Sequence, residues 1–169
     1  MSEMNPGSRP YPSGEIGVLP LARIRDMDGL SQLEAVIAGT FPAPPIARTL
    51  GFMLREVEPG RALFAGLPGF DHLNPLGTVH GGWAATLLDS ALGCAVHTTL
   101  KVGEAYTTIE FKVNLVRPLL PDTGEVVCEG RIVHRGARIA TSEASLRGAD
   151  GRLYAHGSET CMIFPMKGA

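Results

Sequence analysis

Residues 81–100 have the sequence GGWAATLLDSALGCAVHTTL, and this stretch decides the fold. Its apolar side chains, which run from Trp83 to Val96, occupy every side of a helical wheel. A helix that is apolar all round is a buried helix. The pattern therefore predicts one long helix in the interior of the domain.

Asp89 interrupts this apolar pattern near the middle of the predicted helix. Its neighbours one turn away on either side are Ala85, Thr86, Leu92 and Gly93, and none of them is a cation. An ionised carboxylate without a partner is costly in an apolar interior. We therefore expect Asp89 to be protonated, to be paired by another part of the fold, or to face a water-filled site.

The predicted helix begins at a Gly-Gly pair, Gly81 and Gly82. Glycine allows a ligand to approach the backbone closely, and the first N–H groups of a helix have no partner inside it. These groups also lie at the positive end of the helix dipole, so they can stabilise an oxyanion. Taken alone, the pair is equally explained as the turn that leads into the helix.

Alternating apolar and polar residues on both sides of the helix are typical of strands. The clearest case is 107–115, where Ile109, Phe111, Val113 and Leu115 fall on one face. Segments rich in glycine and other turn-forming residues separate most of these runs. The predicted strands are 52–57, 62–67, 107–115, 125–133, 138–147 and 153–164.

One buried helix with five to six antiparallel strands predicts the α+β class, in which a curved sheet wraps around the helix. A single helix cannot cover both edges and the convex face of such a sheet, so we expect a dimer. The length of 169 residues fits one domain. We expect an extended N-terminal arm at 1–28, a short helix and Pro-rich link at 29–45, and the main domain at 46–165.

Composition excludes several classes of partner. The 15 basic and 17 acidic residues are scattered along the chain and form no broad basic face, so we expect no nucleic acid partner. No apolar run approaches the roughly 20 residues that span a bilayer, and the N-terminus lacks the pattern of a signal peptide. The three cysteines show no metal or disulfide spacing. These features predict a soluble cytoplasmic protein.

The run NPLGTVHGGWAATLLD, from Asn74 to Asp89, resembles the pattern N-x-x-G-x-x-H-G-G-x-x-x-x-L-x-D of hotdog-fold acyl-CoA thioesterases of the PaaI-like branch. This branch is associated with phenylacetate degradation and is related to the 4-hydroxybenzoyl-CoA thioesterases. The resemblance continues through 107–118, 133–136 and 150–155, and covers about residues 46 to 164. It implies the hotdog fold and hydrolysis of an acyl- or aryl-CoA thioester, with CoA as part of the substrate and no cofactor.

The resemblance also implies roles for five residues. Asp89 would be the general base or the nucleophile, and Asn74 would position the attacking water or the substrate carbonyl. Gly81 would offer its N–H to the thioester oxygen, while His80 would orient the turn. Thr108 would match the Ser or Thr that this family places near the carboxylate. In the family, Asn74 and Gly81 face the carboxylate and the hydroxyl of the partner subunit. This implies a homodimer, and pairing of two dimers into a homotetramer stays open.

Regular alternation conflicts with the role implied for Thr108. It places Thr108 on the face opposite Ile109 and Phe111, so the hydroxyl can reach the site only if the strand contains a bulge. The resemblance further implies contacts to CoA from two segments, in which guanidinium groups and backbone amides suit phosphates. The implied CoA-binding residues are Val116, Arg117, Pro118, His134, Arg135, Gly136, Ala137 and Arg138.

Two other functions use the same fold. A non-catalytic acyl-CoA or acyl-carrier binding protein would use the pocket without hydrolysis, but it has no need of an unpaired carboxylate such as Asp89. A hotdog hydratase or dehydratase would use a His and an acidic residue, and the turn from His80 to Gly82 fits it less well. The five histidines have no metal-ligand spacing, so no metal site is expected.

Overall fold

The computed structural model describes residues 14–166, which form one antiparallel sheet, four α-helices and a short 3-10 helix at Phe70–His72. The longest helix, α4, packs against the sheet. The helices are α1 (Leu21–Ile24), α2 (Gly29–Ile37), α3 (Pro45–Leu50) and α4 (Gly81–His97). The strands are β1 (Phe52–Glu58), β2 (Arg61–Gly66), β3 (Glu104–Leu115), β4 (Val126–Arg135), β5 (Ile139–Gly148) and β6 (Leu153–Pro165).

The six strands have the order β1-β2-β4-β5-β6-β3, and every neighbouring pair is antiparallel. The chain leaves β2 at Gly66, passes through α4, and returns as β3 at the far edge of the sheet. This architecture confirms the predicted α+β hotdog fold, with six strands around one long helix. The strand order also places β3, which has twelve residues, at one edge of the sheet.

The interior of α4 approaches the sheet unusually closely. A Cβ atom added at Gly130 of β4 would lie 2.2 Å from the carbonyl oxygen of Ala91, so only glycine fits there. The Ser142 hydroxyl of β5 donates to the carbonyl of Leu92 at 3.2 Å. The residues of α4 with no exposed surface are Leu87, Leu88, Ala91, Leu92, Ala95 and Val96.

The helix ends three residues earlier than the predicted limit of Leu100. Hydroxyl groups at its C-terminus explain the difference, because Thr98 donates to the carbonyl of Ala95 and Thr99 to that of Val96. Both bonds are 2.7 Å long and satisfy carbonyls that have no partner within the helix. The Thr98 hydroxyl also accepts the N–H of Gly60, which joins this end of α4 to the turn between β1 and β2.

The segment before the sheet contains more helix than expected. The predicted arm at 1–28 lies partly outside the described residues, and within it α1 forms a single helical turn. The predicted short helix corresponds to α2, whereas α3 starts at the end of the predicted Pro-rich link, with Pro45 at its first position and Gly51 in the left-handed conformation at its end. Proline at the first helical position is favourable because its missing N–H is not needed there.

Candidate active site at helix α4 and strand β3

The start of α4 is organised by His80. Its Nδ1 atom accepts the N–H of Gly82 at 2.9 Å, and its carbonyl accepts the N–H of Trp83 at 2.9 Å. His80 is therefore the N-cap residue of the helix. Within residues 14–166, no acceptor is bonded to the N–H of Gly81, which leaves this group available at the positive end of the helix.

Asn74 organises the loop that leads to this helix. Its Oδ1 atom accepts the N–H groups of Leu76 at 2.9 Å and Thr78 at 3.3 Å, and its Nδ2 donates to the Thr78 hydroxyl at 2.7 Å. A carboxamide nitrogen carries two hydrogens, so one donor of Asn74 is not used by Thr78.

A cleft of about 280 Å³ joins this loop to the end of β3. Asn74, His80 and Gly81 line it together with residues 116–118, the first of the two segments implied to bind CoA. The guanidinium of Arg117 in this segment donates to the carbonyl of Leu153 at 2.8 Å, which orients it along the rim. The structure therefore brings one half of the predicted site together.

Asp89 belongs to a different part of the helix. It lies eight residues after Gly81, which is about 12 Å along the helix axis, and one turn before Gly93. A Cβ atom at Gly93 would lie 2.8 Å from the Tyr106 hydroxyl, so Asp89 is on the side of α4 that faces β3. Within the chain, the start of α4 and the Asp89 carboxylate are therefore separate.

The Asp89 carboxylate is half-buried and has no hydrogen bond or ion pair within residues 14–166. Nearby hydroxyls do not reach it, because Thr86 donates to the carbonyl of Gly82 and Ser90 to that of Thr86, each at 2.9 Å. Burial raises the pKa of Asp89 above the ordinary value of an aspartate. A carboxylate in this state is a stronger base than an exposed one.

Strand β3 contains the bulge that the role of Thr108 requires. Its pairing with β6 shifts between Thr108 and Glu110, so Ile109 has no partner in the ladder. Thr108 then lies opposite the buried Cys161, on the inward face. The prediction that Ile109 shares the apolar face was wrong, since its side chain is 55% exposed. The extra residue reverses the alternation on one side of the bulge.

Glu159 on β6 was missed in the sequence. It is only 1% exposed, and its Oε1 atom accepts the Thr108 hydroxyl at 2.6 Å and the Cys161 thiol at 2.9 Å. Its Oε2 atom is buried and has no partner in the described part of the chain. Residue 159 alternates with Gly157 and Cys161 in the predicted strand 153–164, so its side chain shares their inward face. This alternation is the feature of the sequence that could have identified Glu159.

Glu159 contacts the Thr108 hydroxyl, and Asp89 lies close enough to Glu159 for its charge to act on that carboxyl group. Burial raises the pKa of Glu159, hydrogen bonds from Cys161 and Thr108 lower it, and the charge of Asp89 raises it, with the balance above the ordinary glutamate value. The same environment, chiefly burial, raises the pKa of Cys94 to about 12. Because a thiolate rather than a thiol is the nucleophile, Cys94 is inert at neutral pH.

The second segment implied to bind CoA, residues 134–138, comprises the last two residues of β4 and the turn to β5. Arg135 in this turn pairs with Glu104 at 2.6 Å and also donates to the carbonyl of Gly136. Glu104 begins β3, whereas residues 116–118 follow its end. Twelve strand residues span about 35 to 40 Å, so one subunit does not bring the two segments together.

The described residues contain neither a membrane-spanning helix nor a metal centre. No helix between residues 14 and 166 is long and apolar enough to cross a bilayer. In the same residues, no three His, Cys, Asp or Glu side chains are grouped so as to hold a metal ion.

Comparisons with known proteins point to one superfamily. A model of the thioesterase superfamily matches residues 76–155. A protein of Halobacterium salinarum, provisionally named an esterase, is 36% identical over 72 residues, which are 41% of this chain and 46% of that protein. Human acyl-coenzyme A thioesterase 13 is 28% identical over 131 residues, or 76% of this chain and 91% of that protein.

A solved structure gives the same result. A mutant of the phenylacetic acid degradation protein PaaI from Thermus thermophilus has a TM-score of 0.64 and 30% identity, and the match covers 70% of this chain and 97% of that chain. The chain thus spans less than half of the halobacterial protein and nearly all of the human and bacterial ones.

Proposed function

Because the chain belongs to the thioesterase superfamily of hotdog-fold proteins, we propose that it hydrolyses an acyl- or aryl-coenzyme A thioester to the free acid and coenzyme A. The observation that carries this proposal is the Asp89 carboxylate, which is half-buried, has no partner within residues 14–166, and faces the edge strand β3. A reducing compartment such as the cytoplasm suits the three free cysteines.

In the proposed reaction, Asp89 accepts a proton from water while the water oxygen bonds to the thioester carbon. The negative charge that develops on the carbonyl oxygen is stabilised by the N–H of Gly81. The C–S bond then breaks, and the coenzyme A thiolate leaves and takes the proton that Asp89 accepted from water, which returns Asp89 to its ionised form. A direct attack by the carboxylate would instead form a mixed anhydride, and labelled solvent oxygen would then enter Asp89 in a single turnover.

The two halves of the site would meet in a homodimer. In one subunit the N–H of Gly81 lies about 12 Å along the helix from Asp89, too far for both to contact one carbonyl group. Antiparallel pairing of β3 with β3 of a second copy would bring the end of one strand near the start of the other. The 116–118 segment of one subunit would then approach the 134–138 segment of its partner, and both can contact CoA.

This pairing also accounts for the exposed apolar side chains along β3. Ile109 is 55% exposed, Leu115 is 59% exposed, and Val116, directly after the strand, is 54% exposed. An open, partly apolar edge strand favours association with another chain. We therefore propose a homodimer as the active unit, which can pair further into a tetramer.

The test is release of free thiol from a panel of acyl- and aryl-CoA thioesters by the purified protein. We expect Asp89→Asn to lower kcat more than about a hundredfold, because the amide cannot accept the proton. Asp122→Asn is the matched control, since Asp122 is exposed in the turn after residues 116–118, and its activity should equal that of the wild type.

Two results would contradict the proposal. The first is a wild-type protein that releases no thiol above background from any member of the panel. The second is full activity in Asp89→Asn, which would remove Asp89 from the reaction. A wild type that binds acyl-CoA without hydrolysing it would be a non-catalytic binding protein.

A further inference from the structure

We propose that Glu159 is a positioning residue of this site, which fixes the direction of the Thr108 hydroxyl so that Thr108 accepts a hydrogen bond from the attacking water. This inference rests on the proposed thioester hydrolysis and adds a residue from β6 to it.

The hydrogen bond between Thr108 and Glu159 determines in which direction the Thr108 hydroxyl donates its hydrogen. A threonine hydroxyl has one hydrogen to donate and two lone pairs that can accept. Its hydrogen is directed to Glu159 Oε1 at 2.6 Å, so only its lone pairs remain for other partners. Thr108 is exposed whereas Glu159 is 1% exposed, so the hydroxyl lies between a buried acid and the accessible side of β3.

The direction of this hydrogen bond determines how Thr108 can bind the attacking water. A water molecule that donates one hydrogen to Asp89 and the other to Thr108 keeps a lone pair directed away from both, toward the thioester carbon. The proton given to Asp89 is the one lost on attack, and the proton shared with Thr108 stays with the new acid. If Thr108 donated instead, its hydrogen would engage one of the two lone pairs of the water, which makes the water oxygen a weaker nucleophile and leaves one of its hydrogens without a protein acceptor.

Glu159 can hold the hydroxyl in either protonation state. Its Oε1 atom also accepts the Cys161 thiol at 2.9 Å, whereas Oε2 has no partner in residues 14–166 and is the atom free to carry a proton. Two donors on one oxygen keep that oxygen an acceptor, so the direction of the Thr108 bond does not change when Glu159 is protonated.

The bulge at Ile109 supplies a second, independent argument. Without it, regular alternation would direct Thr108 away from Glu159, and the strand loses one pairing position to make this contact. Bulges occur frequently next to active sites, where they redirect a side chain.

The test replaces the acceptor while keeping the size of the side chain. Glu159→Met removes the acceptor, and we expect kcat to fall about tenfold with KM within about twofold of the wild type, because Glu159 touches Thr108 and not the substrate. Glu159→Gln keeps a carbonyl oxygen for both donors and should restore most of the activity. Glu143→Met, at an exposed position of β5 on the outer face, is the matched control and should match the wild type.

A double-mutant cycle separates this role from a merely structural one. Thr108→Val removes the hydroxyl, and in that variant Glu159→Met should cause no further loss of kcat. Circular dichroism and the molecular mass in solution show whether each variant is folded. If Glu159→Met does not fold, Glu159→Leu replaces it in the same cycle.

Three results would overturn the proposal: full activity in a folded Glu159→Met variant, additive losses in the cycle, or a Glu159→Gln variant as inactive as Glu159→Met. Each of these leaves the proposed function intact, because the wild type is active in all three. A wild type without any thioesterase activity overturns the proposed function and the role of Glu159 together.

Discussion

Asp89 combines burial with the lack of a partner in the described part of the chain, and this combination raises its pKa. Thr86 and Ser90, the nearest hydroxyls along the helix, are bonded to backbone carbonyls and leave the carboxylate to solvent and substrate. At the residue scale, the candidate site therefore contains an acid whose ionised form has little stabilisation within the single chain.

This burial predicts the acidic limb of the pH profile. A base must be ionised to act, so kcat/KM should fall as the pH is lowered through the raised pKa of Asp89. The midpoint should lie above the ordinary aspartate value of about 3.9. A profile of kcat/KM against pH measures it. A midpoint at or below the ordinary value would mean that Asp89 is not the titrating base, or that its environment changes in the dimer.

At the scale of elements, the C-terminal end of α4 is joined to α2 by a partly buried histidine, His97. His97 Nε2 lies 3.0 Å from Gln32 Oε1, and the amide nitrogen of Gln32 donates to the carbonyls of Ile24 and Met27. Neutral imidazole can donate to this oxygen without bringing a charge into the interior. Burial lowers the pKa of His97 to about 4.

The lowered pKa of His97 predicts that the fold becomes less stable in acid. An unfolded chain binds a proton at His97 below about pH 6.5, whereas the folded chain does not until about pH 4, so the free energy of unfolding falls between these values. Above pH 6.5 the neutral His97 does not lower the free energy of unfolding. Below that pH the free energy of unfolding decreases, by at most about 3 kcal/mol, as the unfolded chain takes up the proton. Urea unfolding at several pH values measures it, and His97→Gln should flatten the slope. An equal slope in both proteins would assign the effect to other groups.

The bulge in β3 is a further feature at the scale of elements, and it determines which side chains reach Glu159. It moves Ile109 out of the ladder and turns Thr108 inward to Glu159. One extra residue in an edge strand therefore decides which of two neighbouring side chains belongs to the site.

At the scale of the whole molecule, the residues of the candidate site lie in two separate regions of the chain. The cleft at Asn74 and Gly81 lies at one end of α4, and Asp89 with Thr108 and Glu159 lies further along the helix and the edge strand. If a dimer joins these regions through β3, each active site takes its helix start from one subunit and its carboxylate from the other.

A composite site predicts complementation between two inactive variants. Asn74→Asp keeps the oxygen that accepts Leu76 and Thr78 but loses the amide donors, and Asp89→Asn lacks the base. In a coexpressed mixture, about half of the dimers are mixed and each of these has one intact site, so we expect about a quarter of the wild-type activity. Each variant alone should be inactive. No recovery in mixed dimers of confirmed composition would place all these groups in one subunit's site.

The sequence by itself determined the elements and predicted the residues proposed to carry the chemistry. The apolar wheel of residues 81–100 and the alternation of the strands depend only on which side chains are buried within each element, so they were visible locally, and the run from Asn74 to Asp89 identified the family. The helix limit was three residues too long because hydroxyl groups at Thr98 and Thr99, rather than hydrophobicity, end it.

Only the tertiary structure decided how these residues combine. The bulge at Ile109 arises from the pairing of β3 with β6, and the bond from Thr108 to Glu159 joins positions 51 residues apart. The order of the strands leaves β3 as an open edge. Through this edge, a dimer can bring the start of α4 of one copy close to Asp89 of the other. Pairing register and strand order depend on contacts between distant segments, and local periodicity contains no record of them.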